Sequence, residues 1–288
     1  MEIVERVGEL REWSLSRWAE GLSVGFVPTM GAFHDGHLSL IRGSAETRGT
    51  TIVSIFVNPT QFGPNEDFDR YPRDLQRDME LAEEAGADLL FCPSVGVVYP
   101  QGFRTSVEVE GLGSILCGAS RPGHFLGVTT VVAKLLNMVM PDALFLGRKD
   151  AQQAVVLKQM VRDLDFDVEV EVLPTVREPD GLAMSSRNEY LSSEERAVAP
   201  RLFEALRAAG ELFQEGERDA ARIVSKAEHL LSGRGEFALD YLQVRAAEDL
   251  SSLEVIDRTS LLLVAAKLGK TRLIDNIVLN IEKSSYEL

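Results

Sequence analysis

The segment Val24-Gly25-Phe26-Val27-Pro28-Thr29-Met30-Gly31-Ala32-Phe33-His34-Asp35-Gly36-His37-Leu38-Ser39-Leu40 carries the signals of a strand, a tight turn and a helix start in immediate succession. Val24 to Val27 is a short apolar run, the mark of a buried strand, and Pro28 is expected to stop it. Gly31 and Gly36 let the backbone turn tightly and let a ligand come close to the main chain. Leu38, Ile41 and Ala45 recur at helical spacing, so a helix is expected to start near His37. Such a junction is an anion site, because the first N–H groups of a helix lack intrahelical partners and the positive dipole end faces outward. His34 and His37 are three apart, which puts both rings on one face of a first helical turn. Two imidazoles there can donate to phosphate oxygens. One histidine capping a turn and one on the surface is the plainer alternative. It suits a lone histidine better than His-x-Gly-His directly after a strand.

The 288 residues allow one large or two medium domains, and 45% hydrophobic with 26% charged residues is an ordinary globular composition. The net charge of −15 argues against nucleic acid as a partner, since phosphate backbones need a basic face. Met1 to Arg6 lacks the layout of a signal peptide, and Lys134 and Lys267 cut the longest apolar stretches. A cytoplasmic protein is therefore expected. Cys92 and Cys117 form neither a metal-ligand pattern nor a disulfide framework. Of the four histidines, His34, His37 and His124 lie in glycine-containing loops and only His229 in a plain helical pattern.

Thr51 to Val57 reads as a second buried strand, ending in the polar loop Asn58-Pro59-Thr60-Gln61-Phe62-Gly63. Leu75, Met79 and Ala82 mark a helix that stops at Gly86, and Asp88 to Pro93 reads as a third strand. This alternation predicts an α/β fold: a Rossmann-like doubly wound parallel sheet that binds ligands beyond its strand C-termini. Ser106 to Glu110 alternates polar and apolar residues like a half-exposed strand. Arg121-Pro122-Gly123-His124-Phe125 precedes an apolar helix from about Gly127 to Met140. Ala143 to Leu146 is a further strand, running into Gly147-Arg148-Lys149-Asp150-Ala151-Gln152-Gln153 and a helix to Val161. That is a second strand-to-helix turn, now with a lysine. Neither a three-glycine dinucleotide fingerprint nor a P-loop occurs, so a nucleotide site must be of another type.

Val168 to Val172 alternates as a strand, and Pro174, Pro179 and Gly181 then mark the boundary between residues 1–175 and a smaller C-terminal α+β domain, 176–288, covering the site. Ala183-Met184-Ser185-Ser186-Arg187-Asn188 is a polar loop just beyond. Ser192 to Glu195 is a capping box opening a long helix with Leu202, Leu206, Ala209 and Phe213 on its apolar face. A helix over about 219–231 and strands over 237–244, 260–267 and 271–279 complete the expectation.

Pro28 to His37 resembles the nucleotide-binding signature of the His-x-Gly-His nucleotidyltransferase superfamily, and Ala183 to Arg187 its second phosphate-binding loop. With Phe56 to Phe62, Tyr71-Pro72-Arg73, Arg121 to Phe125, Gly147 to Gln153 and Asp180 to Asn188, the set is similar to the pantothenate synthetase (pantoate–β-alanine ligase) family, from about residue 24 to Ile274-Asp275-Asn276. Leu126 and Leu146 depart from the family pattern without removing a charged or hydrogen-bonding group.

The resemblance implies ligation of pantoate to β-alanine in two steps, through pantoyl adenylate, releasing pyrophosphate and then AMP. It implies His37, His34 and Lys149 as catalytic. It implies an ATP site of Thr29, Met30, Gly31, His34, His37, Asn58, Gly147, Lys149, Asp150, Val176, Met184, Ser185, Ser186 and Arg187. Pantoate and β-alanine are expected at Met30, Gln61, Gln153, Arg121 and His124. Mg2+ is expected to be held mainly by the ATP phosphates, with no protein ligand cluster, and a homodimer is carried over. Another His-x-Gly-His nucleotidyltransferase and a non-catalytic nucleotide-binding protein stay open as alternatives, separated by whether AMP formation needs both pantoate and β-alanine.

Overall fold

Val24, Phe26 and Val27 are wholly buried in a strand, and because adjacent strand residues point to opposite faces, both faces of the sheet there are covered. The computed structural model describes residues 1–64, 66–232 and 236–288. The chain divides into two units: Met1–Gly147 with Val156–Leu173, and Arg148–Val155 with Pro174–Leu288.

The strands of the first unit are β1 (Glu2–Val4), β2 (Val24–Thr29), β3 (Thr50–Ile55), β4 (Leu89–Phe91), β5 (Ala143–Gly147) and β6 (Glu169–Leu173). They lie in the order β1-β4-β3-β2-β5-β6, all parallel. The helices are α1 (Val7–Ala19), α2 (Asp35–Thr47), α3 (Leu75–Glu84), α4 (Val95–Val98), α5 (Cys117–Ser120), α6 (His124–Val139) and, from Val156 on, α7 (Ala151–Asp163), whose first five residues belong to the second unit. From β2 the chain winds outward through β3 to β4, then crosses back to β5 beside β2. The order reverses there, and a crevice forms at such a switch point in open α/β sheets.

Pro28 does not stop β2, contrary to the sequence expectation; it stops one side of its ladder. Pairing with β3 continues to Thr29↔Ile55, whereas pairing with β5 ends at Phe26↔Leu144. The Val24 carbonyl accepts from Asp142 toward β5 and the Thr29 carbonyl accepts from Phe56 beside β3. Strand alternation therefore turns the Pro28 nitrogen toward β5, where it has no hydrogen to donate.

Ser106 to Glu110 forms no strand. The Val107 N–H donates to Thr130 Oγ1 (3.0 Å) and its carbonyl accepts from Thr129 Oγ1 (2.5 Å), so two hydroxyls of α6 satisfy the backbone that a neighbouring strand would have paired. α6 itself starts at His124, earlier than expected, after Gly123 in a left-handed conformation.

In the second unit the antiparallel strands β7 (Phe237–Ala246), β8 (Ser260–Leu268), β9 (Thr271–Asn280) and β10 (Ser285–Glu287) pair in the order β10-β9-β8-β7. The helices are α8 (Ser193–Val198), α9 (Arg201–Gln214) and α10 (Ala220–Ser232). The Ser192–Glu195 capping box is present, but the expected long helix is two. Pro200 has no N–H to continue the ladder and its ring crowds the carbonyl four residues back. Leu202, Leu206, Ala209 and Phe213 are all buried against the sheet and α10. Among the described residues no helix is long and apolar enough to cross a membrane.

Candidate active site

Between β2 and α2 the backbone turns through Gly31 and Ala32, both with positive φ (80° and 54°). A left-handed alanine is strained, and a buried carboxylate holds it. Asp78 on α3 is 2% exposed and accepts the Ala32 N–H at 2.8 Å and the Phe33 N–H at 2.7 Å. Burial pushes the Asp78 carboxyl up, and those two N–H groups work against the push. A Cβ on Gly31 would stand 2.8 Å from Asp78 Oδ2, so glycine is needed for this approach as well as for its φ. Thr29 Oγ1 donates to the Ser54 carbonyl (2.6 Å) and accepts the Gly31 N–H (3.2 Å), tying the end of β2 to the turn.

His34 is the N-cap of α2, and its Nδ1 accepts the Gly36 N–H at 3.1 Å. In the neutral ring Nδ1 is then unprotonated, and Nε2 carries the hydrogen. His37 follows one turn on, with ring centroids 4.1 Å apart and planes tilted by 36°. The sequence put the helix start near His37; it lies two residues earlier, and both imidazoles do stand at its N-terminus.

A second group gathers around Asn58, which is 1% exposed. Its Oδ1 accepts from Thr60 N (3.3 Å), Thr60 Oγ1 (2.9 Å) and the Tyr99 hydroxyl (2.8 Å), and its Nδ2 donates to Gln61 Oε1 (3.0 Å) and the Gly127 carbonyl (3.1 Å). Asn58 is thus engaged by protein groups at both ends. Gln61 Nε2 reaches Met30 Sδ at 3.3 Å, which links this loop to the end of β2. Arg121 grips Glu66 with two nitrogens, Nε to Oε1 at 2.6 Å and Nη2 to Oε2 at 2.7 Å. Its Nη1 lies 3.0 Å from His124 Nε2, and since a guanidinium only donates, that nitrogen accepts and Nδ1–H donates to the Gln61 carbonyl (2.9 Å). Burial alone would raise the Glu66 carboxyl, but the hydrogen bonds and charge of Arg121 outweigh it and hold Glu66 below the usual range. Gly147 ends β5. Leu146 is buried in that strand and Leu126 is exposed on α6.

Within the second unit, Lys149 Nζ stands 3.9 Å from Asp150 Oδ2 in the single helical turn Arg148–Asp150, and Gln153 lies in the first turn of α7. The Val176 carbonyl accepts the Met184 N–H at 3.0 Å, closing a loop from which Ser185 emerges. Ser185 caps the short helix Ser186–Tyr190, its hydroxyl accepting the Arg187 N–H at 3.3 Å. Met184, Ser185, Ser186 and Arg187 are all half-buried. The described residues hold no group of three or more His, Cys, Asp or Glu fit for a metal ion.

Sequence reasoning missed Asp78, Glu66 and Tyr99. Asp78 had a signal: a carboxylate between Leu75 and Ala82 on the stripe otherwise read as apolar. Glu66 and Tyr99 had none, since their partners lie 55 and 41 residues away.

A family model described as pantoate-beta-alanine ligase matches residues 2–278. Pantothenate synthetase from Moorella thermoacetica is 52% identical over 281 residues, which is 98% of this chain and 99% of its own. A crystal structure of pantothenate synthetase from Thermus thermophilus has a TM-score of 0.90 at 48% identity, over 96% of this chain and 98% of that one. The pantoate–β-alanine ligase of Francisella tularensis, complexed with Beta-gamma ATP and β-alanine, has a TM-score of 0.77 at 37% identity, over 96% of this chain and 97% of its own. With a family match over residues 2–278 and relatives matched over nearly their whole length, the chain belongs to the pantoate–β-alanine ligase family.

Proposed function

We propose that this ATP-dependent ligase condenses pantoate with β-alanine through a pantoyl-adenylate intermediate. A pantoate carboxylate oxygen bonds to the α-phosphorus of ATP and pyrophosphate leaves. The β-alanine amine then bonds to the acyl carbon, losing a proton, and AMP leaves. The first step moves charge over phosphate oxygens and needs little covalent chemistry from the protein. The observation that carries this reading is the pair of imidazoles at the N-terminus of α2, one of them tautomerically set to donate from Nε2.

His34, His37, Lys149, Ser185, Ser186 and Arg187 face phosphate. Thr29, Gly31 and Gly147 shape the backbone that the nucleotide approaches. Val176 and Met184 serve adenine through main-chain groups. Met30, Gln61 and Gln153 hold pantoate, and Arg121 and His124, tied to Glu66 and to the Gln61 carbonyl, shape the pantoate and β-alanine side of the site. Asn58 serves the site by holding Gln61, and Asp150 by standing beside Lys149. Residues 1–175 carry the nucleotide and pantoate contacts, and residues 176–288 bring the Ser185–Arg187 loop. Mg2+ would be held mainly by the ATP phosphates and would supply charge neutralisation there. The protein works in the cytoplasm as a homodimer, an assembly that sedimentation would test.

AMP release should require pantoate and β-alanine together. AMP formed at the same rate when either is left out would overturn the assignment.

A further inference from the structure

The C-terminal triplet Ile274-Asp275-Asn276 has no part in the chemistry above, yet two of its side chains are among the most buried polar groups of the second unit. Asn276 is 1% exposed and Asp275 3%, both on the central strand β9. The Asn276 amide nitrogen donates to the Arg148 carbonyl at 2.9 Å and to the Lys149 carbonyl at 3.1 Å. A reversed amide would turn an oxygen against two carbonyl oxygens, so the orientation is fixed by its partners. The opposite end, Oδ1, has no protein partner. A buried amide with one end unmatched is a poor device for core stability alone. What it does supply is two N–H donors on one atom, aimed at successive peptides.

Those peptides set the direction of Lys149. The turn Arg148–Asp150 is a single helical turn, and fixing the carbonyls of 148 and 149 fixes the planes on both sides of the Lys149 Cα. The strand beneath is itself anchored. Asp275 accepts from Arg177 Nη1 at 2.6 Å and Nη2 at 3.0 Å and from the Asn276 N–H at 2.8 Å, and the Arg177 guanidinium lies 4.3 Å over the Phe203 ring. Asn276 therefore reaches the lysine turn from a rigid base.

We infer, given the assignment of Lys149 to phosphate above, that Asn276 is a positioning residue for adenylation, acting through the backbone of Arg148 and Lys149. The ammonium sits at the end of four flexible methylenes, so the direction in which its Cα–Cβ bond leaves the turn decides how often it meets its target. A misplacement of about 1 Å at such a group costs on the order of 10²-fold.

The test measures pantoate-dependent ATP–pyrophosphate exchange, β-alanine transfer from supplied pantoyl adenylate, and thermal unfolding. The variants are Lys149→Ala, Asn276→Ala and the two combined. Asn276→Ala should lower the exchange kcat by about 10- to 100-fold with the pantoate KM changed less than about 2-fold, and leave the transfer step intact. The double variant should be no slower than Lys149→Ala, because the only effect of Asn276 is already gone. Asn276→Asp, which turns an acceptor toward the two carbonyls, should fall at least as far as Asn276→Ala. Losses that multiply in the double variant, or wild-type exchange in Asn276→Ala, would overturn the inference. Wild-type exchange in Lys149→Ala would instead remove the assignment of the lysine, and the coupling with it. Should Asn276→Ala not fold, Asn276→Ser, which keeps one donor, takes its place under the same criteria.

Discussion

Asp78 Oδ1 accepts the backbone N–H of Phe33 at 2.7 Å across a sequence separation of 45, with the Ala32 N–H on the other oxygen. The turn before His34 is therefore shaped from α3 rather than by its own residues. Asp78→Ala leaves one buried donor, Phe33 N–H, and one half-buried donor, Ala32 N–H, without that acceptor, the buried one worth about 1–3 kcal/mol. Urea denaturation should show a loss of at least about 1 kcal/mol. Unchanged stability would mean that other groups hold the turn.

His37 contributes a ring and no cap, whereas His34 contributes both. His37→Ala should unfold at close to the wild-type temperature yet lose on the order of 10²-fold in adenylation rate, the usual effect of removing one preorganised donor. His34→Ala should lose activity and also about 0.5–2 kcal/mol of stability, as cap removal does. A folded His37→Ala enzyme with normal turnover would displace the phosphate assignment.

Glu66 is held below the usual carboxylate range in the folded chain by Arg121. The unfolded chain then binds more protons in the window from that lowered value up to about 4.3. The stabilisation is complete above about 4.3 and is lost as pH falls through the folded value. Glu66→Gln should lower the melting temperature near neutrality, with a deficit that shrinks as the solution is acidified. A deficit constant across the acid range would show that the charge of Glu66 is not what matters.

Ser185 caps a short helix through its hydroxyl, and by its assignment faces phosphate as well. Phosphate contacts matter while the adenylate forms, and the acyl adenylate is reactive enough to need no strong base. In single-turnover experiments Ser185→Ala and Arg187→Ala should slow pantoate adenylation much more than β-alanine attack on supplied pantoyl adenylate. Equal losses in both halves would assign these residues to the acyl group too.

The buried strands could be read from the chain because a parallel sheet covered on both faces favours dense runs of apolar and β-branched residues, and Val24 to Val27 and Thr51 to Val57 are such runs, the latter ending in the structure at Ile55. Ser106 to Glu110 misled because alternation says only that one face is buried, and threonine hydroxyls can satisfy a backbone as well as a strand can. Pro200 was visible between the capping box and the apolar stripe, but the stripe, all of it on α9, was read as continuing the helix that Ser192 caps. The glycine-bearing loops with His34, His37 and Lys149 stood out through residue type and spacing. Asp78, Glu66 and Asn276 act through contacts far apart in sequence, and no local pattern encodes such a contact.

The nitrogen of Pro28 faces β5 without a hydrogen, and this bears on apparent ligand affinity. A gap between strands that could zip up would spend part of its time closed, and apparent affinity would be diluted by the closed fraction. At Pro28 the missing donor is a matter of covalent structure, so one of the two ladder bonds that could close that point can never form, while the carbonyl can still accept. The edge of β2 that faces β5 is then less able to zip shut, and a smaller closed fraction dilutes apparent affinity less.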